Sequence, residues 1–287
     1  MERHNAAAAS PGRLFVVATP LGHLEDVSIR ALRVLREVRL VACEDTRRTA
    51  TLLQAHGITT PTTSYFEHNE RWKGEQLLAT LRSGADVALV SDAGTPGISD
   101  PGYRLVRDAR AEGIPVLPVP GPSAAVTALS VSGLPTDRFL FVGFLPHRAQ
   151  ARRRALEPLA AVQATLVFYE SPLRVGAALG DMEELLGDRE AFLCREATKL
   201  HEEYVRGRLS ELRALLARRA AVKGEIALVV AGASDAAPAA PPAAAEPPEA
   251  MFARLTAAGR TPRQAVKEIA KAHGLSARDV YRRLAVR

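Results

Sequence analysis

Short apolar runs alternate with amphipathic helical patterns through the first 120 residues, and this alternation leaves few folds open to the chain. Runs of the size of a buried strand lie at residues 14–18, 40–43, 87–90 and 116–119. Helical patterns lie around them at residues 28–36, 47–56, 75–83 and 103–109. Because strands that alternate with helices pair in parallel and are covered on both faces, this order predicts an α/β domain with a mostly parallel sheet.

The second half of the chain repeats the α/β pattern after a break at Pro120-Gly121-Pro122-Ser123. Strand-like runs at 139–143, 165–169, 191–195 and 225–231 are separated by helical patterns at 151–159, 175–186 and 209–219. This pattern indicates a second α/β domain with a more mixed sheet. We therefore predict a disordered tail at 1–12, an N-terminal α/β domain at 13–120 and a C-terminal α/β domain at 121–232.

The end of the chain has a different composition. Ala and Pro make up 13 of the 16 residues at 233–248, which predicts a semi-rigid linker. Residues 249–287 contain nine Lys or Arg and three Asp or Glu, a net charge equal to the +6 of the whole chain. Helical patterns there, with Thr261 and Ser276 as expected caps, predict a small helix-turn-helix-like module. Its charge indicates contact with a polyanion.

Cysteine usage and hydropathy limit the compartment. Two cysteines, Cys43 and Cys194, exclude a disulfide framework and fit free thiols in a reducing environment. The N-terminus lacks the apolar core of a signal peptide, and no run approaches the ~18 apolar residues of a membrane span. The seven histidines show no metal-ligand spacing. We therefore expect a cytoplasmic protein without a metal site or a membrane partner.

The loop at residues 91–102 is the strongest candidate for a binding site. It holds three Gly and two Pro directly after the apolar run 87–90, at the edge where open parallel sheets bind ligands. It carries Asp92 and Asp100 but no Lys or Arg, so it suits a cationic ligand. Asp100-Pro101-Gly102 also predicts that Asp100 caps the following helix, with Pro101 at its first position.

Several ordered motifs give residues 13–232 a resemblance to a known family. They are Ala18-Thr19-Pro20-Leu21-Gly22, Cys43-Glu44-Asp45-Thr46-Arg47, the loop at 90–102, Val119-Pro120-Gly121-Pro122-Ser123-Ala124, Phe168-Tyr169-Glu170-Ser171-Pro172, Arg195-Glu196-Ala197-Thr198-Lys199 and Lys223-Gly224-Glu225. In this order the chain resembles the methyltransferases of the tetrapyrrole methylase fold. Within that family it resembles the branch that methylates the ribose 2′-hydroxyl of a cytidine in 16S ribosomal RNA.

This resemblance implies S-adenosyl-L-methionine bound in a cleft between the two α/β domains, a homodimer, and 16S ribosomal RNA of the small ribosomal subunit as substrate. The residues expected at the cofactor are Leu21, Gly22, Ser91, Asp92, Ala93, Gly94, Ile98, Pro122, Ser123, Ala124 and Tyr169. Activation of a ribose hydroxyl needs a general base or close positioning, for which the candidates are Asp100, Glu170, Glu196 and Lys199. Cations expected at RNA phosphates are Arg47, Arg48, Arg152, Arg153, Arg154, Arg263, Lys267 and Arg282.

Two residues depart from the family pattern, and two other functions remain open. His23 stands where the family typically has Asn, and Leu173 stands where a His is common. The same fold also serves methyltransferases that act on a tetrapyrrole precursor or a protein side chain, although the basic residues 152–154 and the basic module argue against small substrates. A non-catalytic RNA-binding protein with a vestigial cofactor cleft is the other alternative.

Overall fold

The computed structural model describes residues 10–234, 247–273 and 275–284. Residues 1–9 of the predicted tail and 235–246 of the predicted linker lie outside this range. The chain divides into two compact units, Met1–Ala233 and Ser234–Arg287. The described residues of the first unit form two five-stranded sheets. None of the described helices is long and apolar enough to cross a membrane.

The first sheet is parallel throughout, as predicted, with the strand order β3-β2-β4-β1-β5. Its elements are β1 (Leu14–Val17), α1 (Ile29–Glu37), β2 (Leu40–Cys43), α2 (Thr46–Ala55), β3 (Thr62–Ser64), α3 (Glu70–Arg82), β4 (Val87–Val90), α4 (Tyr103–Ala111) and β5 (Val116–Val119). β3 was not among the predicted strands, because the short edge segment Thr-Thr-Ser has no apolar run.

Helices cover both faces of this sheet. α1 and α2 pack on one face, and α3 and α4 pack on the other. All four residues of β4 are therefore buried, which explains their continuous apolar run. The hydroxyl of Ser28 accepts the Ala31 N–H and so caps α1, and the carboxylate of Asp45 accepts the Arg47 N–H and caps α2. Because the strands are parallel, the loops that follow them all open at one edge.

The second sheet is mixed, with the order β6-β7-β10-β8-β9. β6 and β7 are parallel, and the other neighbours are antiparallel. Its elements are α5 (Ala124–Val131), β6 (Phe139–Phe144), α6 (Ala149–Leu156), β7 (Thr165–Glu170), α7 (Val175–Leu186), β8 (Glu190–Arg195), β9 (Glu203–Arg208), α8 (Leu209–Ala217) and β10 (Ile226–Val230). Because β10 opposes β7 and β8, its amino end lies at the edge where those two strands end.

β9 is the second strand that the sequence did not predict. It lies at the sheet edge, and its charged and apolar residues alternate between exposed and half-buried positions. A continuous apolar run is therefore not required there.

The described residues of the second unit form a three-helix module of α9 (Pro248–Ala257), α10 (Pro262–His273) and α11 (Ala277–Leu284). Its core holds Leu255, Ala265, Val266, Ile269 and Val280. The hydroxyls of Thr261 and Ser276 accept the backbone N–H groups of Gln264 and Asp279, so both expected caps are present.

Candidate functional site

A pocket of about 380 Å³ lies where the loops at the ends of both sheets meet. Its walls come from the segments that follow β1, β2, β4 and β5, and from the ends of β6, β7, β8 and the start of β10. The lining residues are Leu21, Glu44, Arg48, Asp92, Ala93, Gly94, Thr95, Ile98, Ser99, Asp100, Ser123, Ala124, Phe144, Tyr169, Glu170, Ser171, Pro172, Cys194, Ala197, Gly224, Glu225, Ile226 and Ala227. The loop at 91–102 forms one complete wall.

Backbone hydrogen bonds fix that loop against the end of β1. The N–H of Thr19 donates to the carbonyl of Gly94 at 2.9 Å, and the N–H of Gly94 donates to the carbonyl of Thr19 at 3.0 Å. The Thr19 hydroxyl donates to the carbonyl of Ser91, which is buried. Gly94 has a φ of +81°, a conformation that favours glycine. The pocket wall is therefore rigid backbone rather than a loose connector.

The loops that follow β1 and β8 meet across the two sheets. The His23 N–H donates to the Thr198 hydroxyl at 3.2 Å. A Cβ at Gly22 would lie 2.3 Å from Cγ of Lys199, so only glycine allows this approach. Gly22 is thus a contact between the loops and is not among the pocket-lining residues, whereas its neighbour Leu21 is. The His23 imidazole accepts the Glu25 N–H, so the departure from Asn leaves the backbone contact in place.

Five carboxylates line the pocket: Glu44, Asp92, Asp100, Glu170 and Glu225. Burial raises the pKa of Asp100 to about 6, and the charges of Asp92 and Glu225 act in the same direction. Burial, with the charges of Asp92 and Asp100, also raises the pKa of Glu44. The raised values arise because several negative groups share a space with little solvent.

Arg48, one of the cations expected at RNA phosphates, lines the pocket. Nε of Arg48, on α2, lies 3.5 Å from Oδ2 of Asp92, and its Nη1 lies 3.9 Å from Oε1 of Glu225. The loop at 91–102 contains no Lys or Arg, but its carboxylate Asp92 has the Arg48 guanidinium beside it. Asp92 also accepts the Asp45 N–H at 2.9 Å, so its carboxylate is held in place.

The prediction that Asp100 caps α4 is wrong. α4 begins at Tyr103, and its N-cap residue is Gly102, with a φ of +138°. The Gly102 N–H donates to Oε1 of Glu70, on α3, so a tertiary contact sets where the helix begins. Pro101 consequently lies in a turn, and the Asp100 carboxylate faces the pocket.

The other predicted catalytic residues are held in ion pairs. Glu170 is almost fully buried; its Oε1 accepts the Ser171 N–H at 2.7 Å and lies 2.8 Å from Nη2 of Arg174. Nζ of Lys199 lies 2.8 Å from Glu196 and 3.1 Å from Glu225. Of the four candidates, Asp100 and Glu170 line the pocket, whereas Glu196 and Lys199 stand beside it.

The start of α5 and the ring of Tyr169 form the opposite wall. The Ser123 side chain does not cap α5, and the Ala125 N–H donates to the Tyr169 hydroxyl at 3.0 Å. Phe141 and Phe144 pack edge-on against the Tyr169 ring, 5.0 and 5.6 Å from its centre. This wall combines an apolar surface with a helix N-terminus, an arrangement that attracts carboxylates. Pro122, by contrast, is not a lining residue; its carbonyl accepts from the Thr95 hydroxyl.

The predicted RNA-contacting arginines of α6 differ in accessibility. Arg152 is buried, with Nε 2.7 Å from Oδ2 of Asp181, so the prediction that it contacts RNA is corrected. Arg153 pairs with Asp181 and Glu184. Arg154 is exposed. α6 therefore turns most of its positive charge toward α7.

The remaining predicted RNA contacts are exposed. Arg47 forms an ion pair with Asp45, its own helix cap. In the three-helix module Arg263 and Lys267 are exposed, and so is Arg282, which lies 3.6 Å from Asp279.

Some pocket residues were not predicted as site residues. Glu44, Gly224 and Glu225 belong to the motifs of the family resemblance, whereas Phe144 and Cys194 lie outside those motifs. Glu44 follows β2, and Glu225 precedes β10. Their positions at strand ends were the sequence signal by which they could have been predicted as site residues. Burial raises the pKa of Cys194 to about 11, so it is a neutral thiol in the pocket wall. Among the described residues, no three His, Cys, Asp or Glu side chains are placed to hold a metal ion.

Comparisons with known proteins agree with this geometry. A family model described as Tetrapyrrole (Corrin/Porphyrin) Methylases matches residues 13–213. A protein of Halalkalibacterium halodurans named ribosomal RNA small subunit methyltransferase I is 46% identical over 279 residues, which cover 94% of this chain and 93% of that protein. A protein of the same name from Pseudomonas aeruginosa is 52% identical over 225 residues, which cover 78% of this chain and 80% of that protein.

A solved structure gives the same fold. Uroporphyrin-III C-methyltransferase from Thermus thermophilus, complexed with S-adenyl homocysteine, matches with a TM-score of 0.55 and 24% identity. The match covers 76% of this chain and 97% of that one.

Proposed function

Because this chain belongs to the tetrapyrrole methylase family, we propose that it is an S-adenosyl-L-methionine-dependent methyltransferase that methylates the ribose 2′-hydroxyl of a cytidine in 16S ribosomal RNA. The observation that supports RNA as the substrate is the 46% identity to a protein named ribosomal RNA small subunit methyltransferase I, over 94% of this chain. We expect the small ribosomal subunit as the partner and the cytoplasm as the compartment.

The pocket residues fit this cofactor chemically. Its sulfonium is a cation, and the five carboxylates supply the negative potential that holds a cation. Its amino-acid carboxylate suits the start of α5 at Ser123 and Ala124, where the Ser123 side chain makes no capping hydrogen bond. Its adenine suits an apolar slot such as the one formed by Ile98 and Tyr169, and the backbone of Ala93 and Gly94 is open to polar contacts.

Asp100 is the residue we assign as general base. When bound, the cofactor supplies an electrophilic methyl group on sulfur. The Asp100 carboxylate would take the proton of the 2′-hydroxyl, so that the ribose oxygen could accept the methyl group that the cofactor would supply, with the sulfur as the leaving group. Glu170 is less suited to this step because its Oε1 is already held by Arg174 and the Ser171 N–H, and its Oε2, although without a hydrogen-bond partner, is buried. A base with a pKa near neutrality serves well because it accepts a proton readily and is ionised at working pH.

Mapping of methylated nucleotides tests the reaction directly. We expect mass spectrometry of 16S ribosomal RNA to show one ribose-methylated cytidine in cells with this protein and none in cells without it. Purified protein with labelled cofactor should transfer label to isolated small ribosomal subunits. Transfer to a tetrapyrrole precursor or a protein instead would contradict the proposal, and so would failure to bind the cofactor.

Asp92 gives a prediction for cofactor binding. Asp92→Asn removes one charge near the sulfonium while keeping the shape, so we expect the cofactor Kd measured by calorimetry to rise about tenfold, the effect of a partly buried charge pair. Asp86→Asn is the matched control, because Asp86 lies at the other end of β4 and pairs with Arg13 away from the pocket. Equal cofactor affinity in the two variants would contradict the placement of the site.

The three-helix module gives a prediction for RNA binding. We expect the triple variant Arg263→Gln, Lys267→Gln, Arg282→Gln in the full chain to bind small subunits more weakly and to lose salt dependence. Each lost phosphate contact should reduce the slope of log affinity against log salt by about 0.7–0.9. The cofactor Kd should stay unchanged. An unaltered salt slope would show that these side chains do not contact RNA.

We also propose a homodimer, supported by exposed apolar residues on α5 and β6. β6 is one of the two edge strands of the second sheet. Val126 and Val131 are exposed on α5, and Phe139 and Leu140 are exposed on β6. Exposed apolar patches on an edge strand are typical of interfaces. Sedimentation of the purified protein measures the oligomeric state.

A further inference from the structure

Two large aromatic side chains are exposed at the starts of α3 and α4. Trp72, on the first turn of α3, is 57% exposed, and Tyr103, the first residue of α4, is 68% exposed. Aromatic side chains of this size are usually buried, so their exposure on two neighbouring helices needs an explanation. Neither residue belongs to the pocket or to the motifs singled out in the sequence.

A half-buried carboxylate, that of Glu70, holds these two helix starts together. Oε1 of Glu70 accepts the Gly102 N–H at 3.3 Å, and its Oε2 lies 3.2 Å from Nε of Arg104. Before α3, the buried side chain of Asn69 accepts the Phe66 N–H and donates to the carbonyl of Ser64. Trp72 and Tyr103 thus stand on a fixed base. A rigid base reduces the entropy lost when a ligand is bound.

Cations flank both rings. Nζ of Lys73 lies 5.4 Å from the centre of the Trp72 ring, and Cζ of Arg107 lies 6.0 Å from the centre of the Tyr103 ring. Arg71, next to Trp72, is also exposed. Arg107 is paired with Asp108, so the positive charge available to a ligand comes chiefly from Arg71 and Lys73. Exposed rings beside cations are the combination that binds single-stranded nucleic acid, by stacking on bases and attraction to phosphates.

The aromatic surface borders the pocket through the chain itself. The loop at 91–102 forms a pocket wall up to Asp100, and α4 begins three residues later with Tyr103. When the target ribose of an unpaired RNA segment lies at Asp100, the neighbouring nucleotides can therefore reach this aromatic surface. RNA that is read outside a duplex is commonly held by stacking of unpaired bases on aromatic rings.

We infer that Trp72 and Tyr103 form a stacking platform for unpaired bases that flank the methylated nucleotide. The inference rests on the proposed function, because it takes RNA to be the substrate. It assigns the platform to substrate binding and not to methyl transfer itself, since neither ring lines the pocket.

Trp72 is the only tryptophan of the chain, so its fluorescence reports on the platform directly. We expect addition of a single-stranded, cytidine-containing RNA oligonucleotide to quench the tryptophan emission, with a midpoint equal to the Kd from anisotropy of the labelled oligonucleotide. We expect Trp72→Ala and Tyr103→Ala each to raise the KM for small ribosomal subunits about five- to 100-fold, the range for one lost stacking contact. kcat and the cofactor Kd should remain near wild type.

Two variants separate stacking from a loss of structure. Trp72→Phe keeps an aromatic ring and should recover most of the affinity. Ile29→Ala is the matched control, because Ile29 is 88% exposed on α1, on the opposite face of the same sheet, and should leave the KM unchanged.

Other results would overturn the inference in distinguishable ways. An oligonucleotide that binds by anisotropy without quenching, together with an unchanged KM in both alanine variants, refutes the platform while the proposed function stands. A third outcome assigns the surface to a second copy of the chain. In that case the tryptophan emission per molecule falls as the protein concentration rises, without any RNA, and Trp72→Ala sediments differently from the wild type. Absence of methyl transfer by the wild type refutes the proposed function, and the quenching experiment still decides whether the platform binds RNA.

Discussion

Asp100→Asn is expected to slow methyl transfer at saturating cofactor by about 100-fold or more, because general-base catalysis contributes about 10²–10⁴ in rate. The amide keeps the size of the side chain but does not accept the hydroxyl proton. Single-turnover transfer to small ribosomal subunits measures the step itself. Asp137→Asn, at an exposed loop position, is the control for loss of an aspartate.

The pH profile gives this prediction a second readout. Burial raises the pKa of Asp100 to about 6, so its carboxylate is ionised above that pH and protonated below it. The wild-type rate should therefore fall on acidification, with a midpoint at or below about 6, because the sulfonium charge favours the ionised form. The residual rate of Asp100→Asn should be flat across this range. A variant that keeps the wild-type rate and profile would remove Asp100 from the mechanism.

Gly102→Ala is expected to have the largest effect on stability. A Cβ at Gly102 would lie 2.9 Å from Cδ2 of the buried Leu89, and the φ of +138° is strained for any side chain. We expect a loss of about 3 kcal/mol in the free energy of unfolding, from strain and collision together. Because Gly102 ends the loop that forms the pocket wall, cofactor affinity should fall as well. Urea denaturation and calorimetry measure the two effects.

Gly113→Ala separates strain from collision. Gly113 follows the other end of α4 with a φ of +72°, and no atom lies within 4 Å of its Cβ position. We expect a loss of only about 1 kcal/mol and unchanged cofactor affinity. Equal losses in the two variants would show that the contact with Leu89 carries no weight.

Local patterns were sufficient to predict most of the fold. The apolar runs of β2, β4 and β5 match the strands to the residue. β2 and β4 lie inside the sheet, where burial on both faces requires a continuous apolar run, whereas β5 is an edge strand whose two middle residues are exposed. β3 and β9 lie at sheet edges, where burial imposes no such run. The parallel order of the first sheet followed from the alternation of strands and helices.

The site was less predictable, because its details depend on residues far apart in the sequence. Glu70 accepts the Gly102 N–H, and α4 begins after Gly102 rather than after Asp100. The Asp100 carboxylate therefore does not cap the helix and faces the pocket. Asp181, on α7, draws Arg152 into the interior. Arg48 meets Asp92 only after α2 packs beside β4. Sequence motifs located the pocket wall correctly as a segment of chain, but they did not indicate which side chains are neutralised by partners.

The carboxylate lining of the pocket also affects the release of the spent cofactor once the methyl group has been transferred. The pocket places its negative charges around a ligand that, on the proposed function, arrives with a positive sulfur and leaves as a neutral thioether. The attraction between wall and sulfur therefore exists for the substrate form and vanishes for the product form. On the proposed function, the wall therefore holds the spent cofactor less tightly than the methyl donor, which favours exchange of one for the other after each transfer.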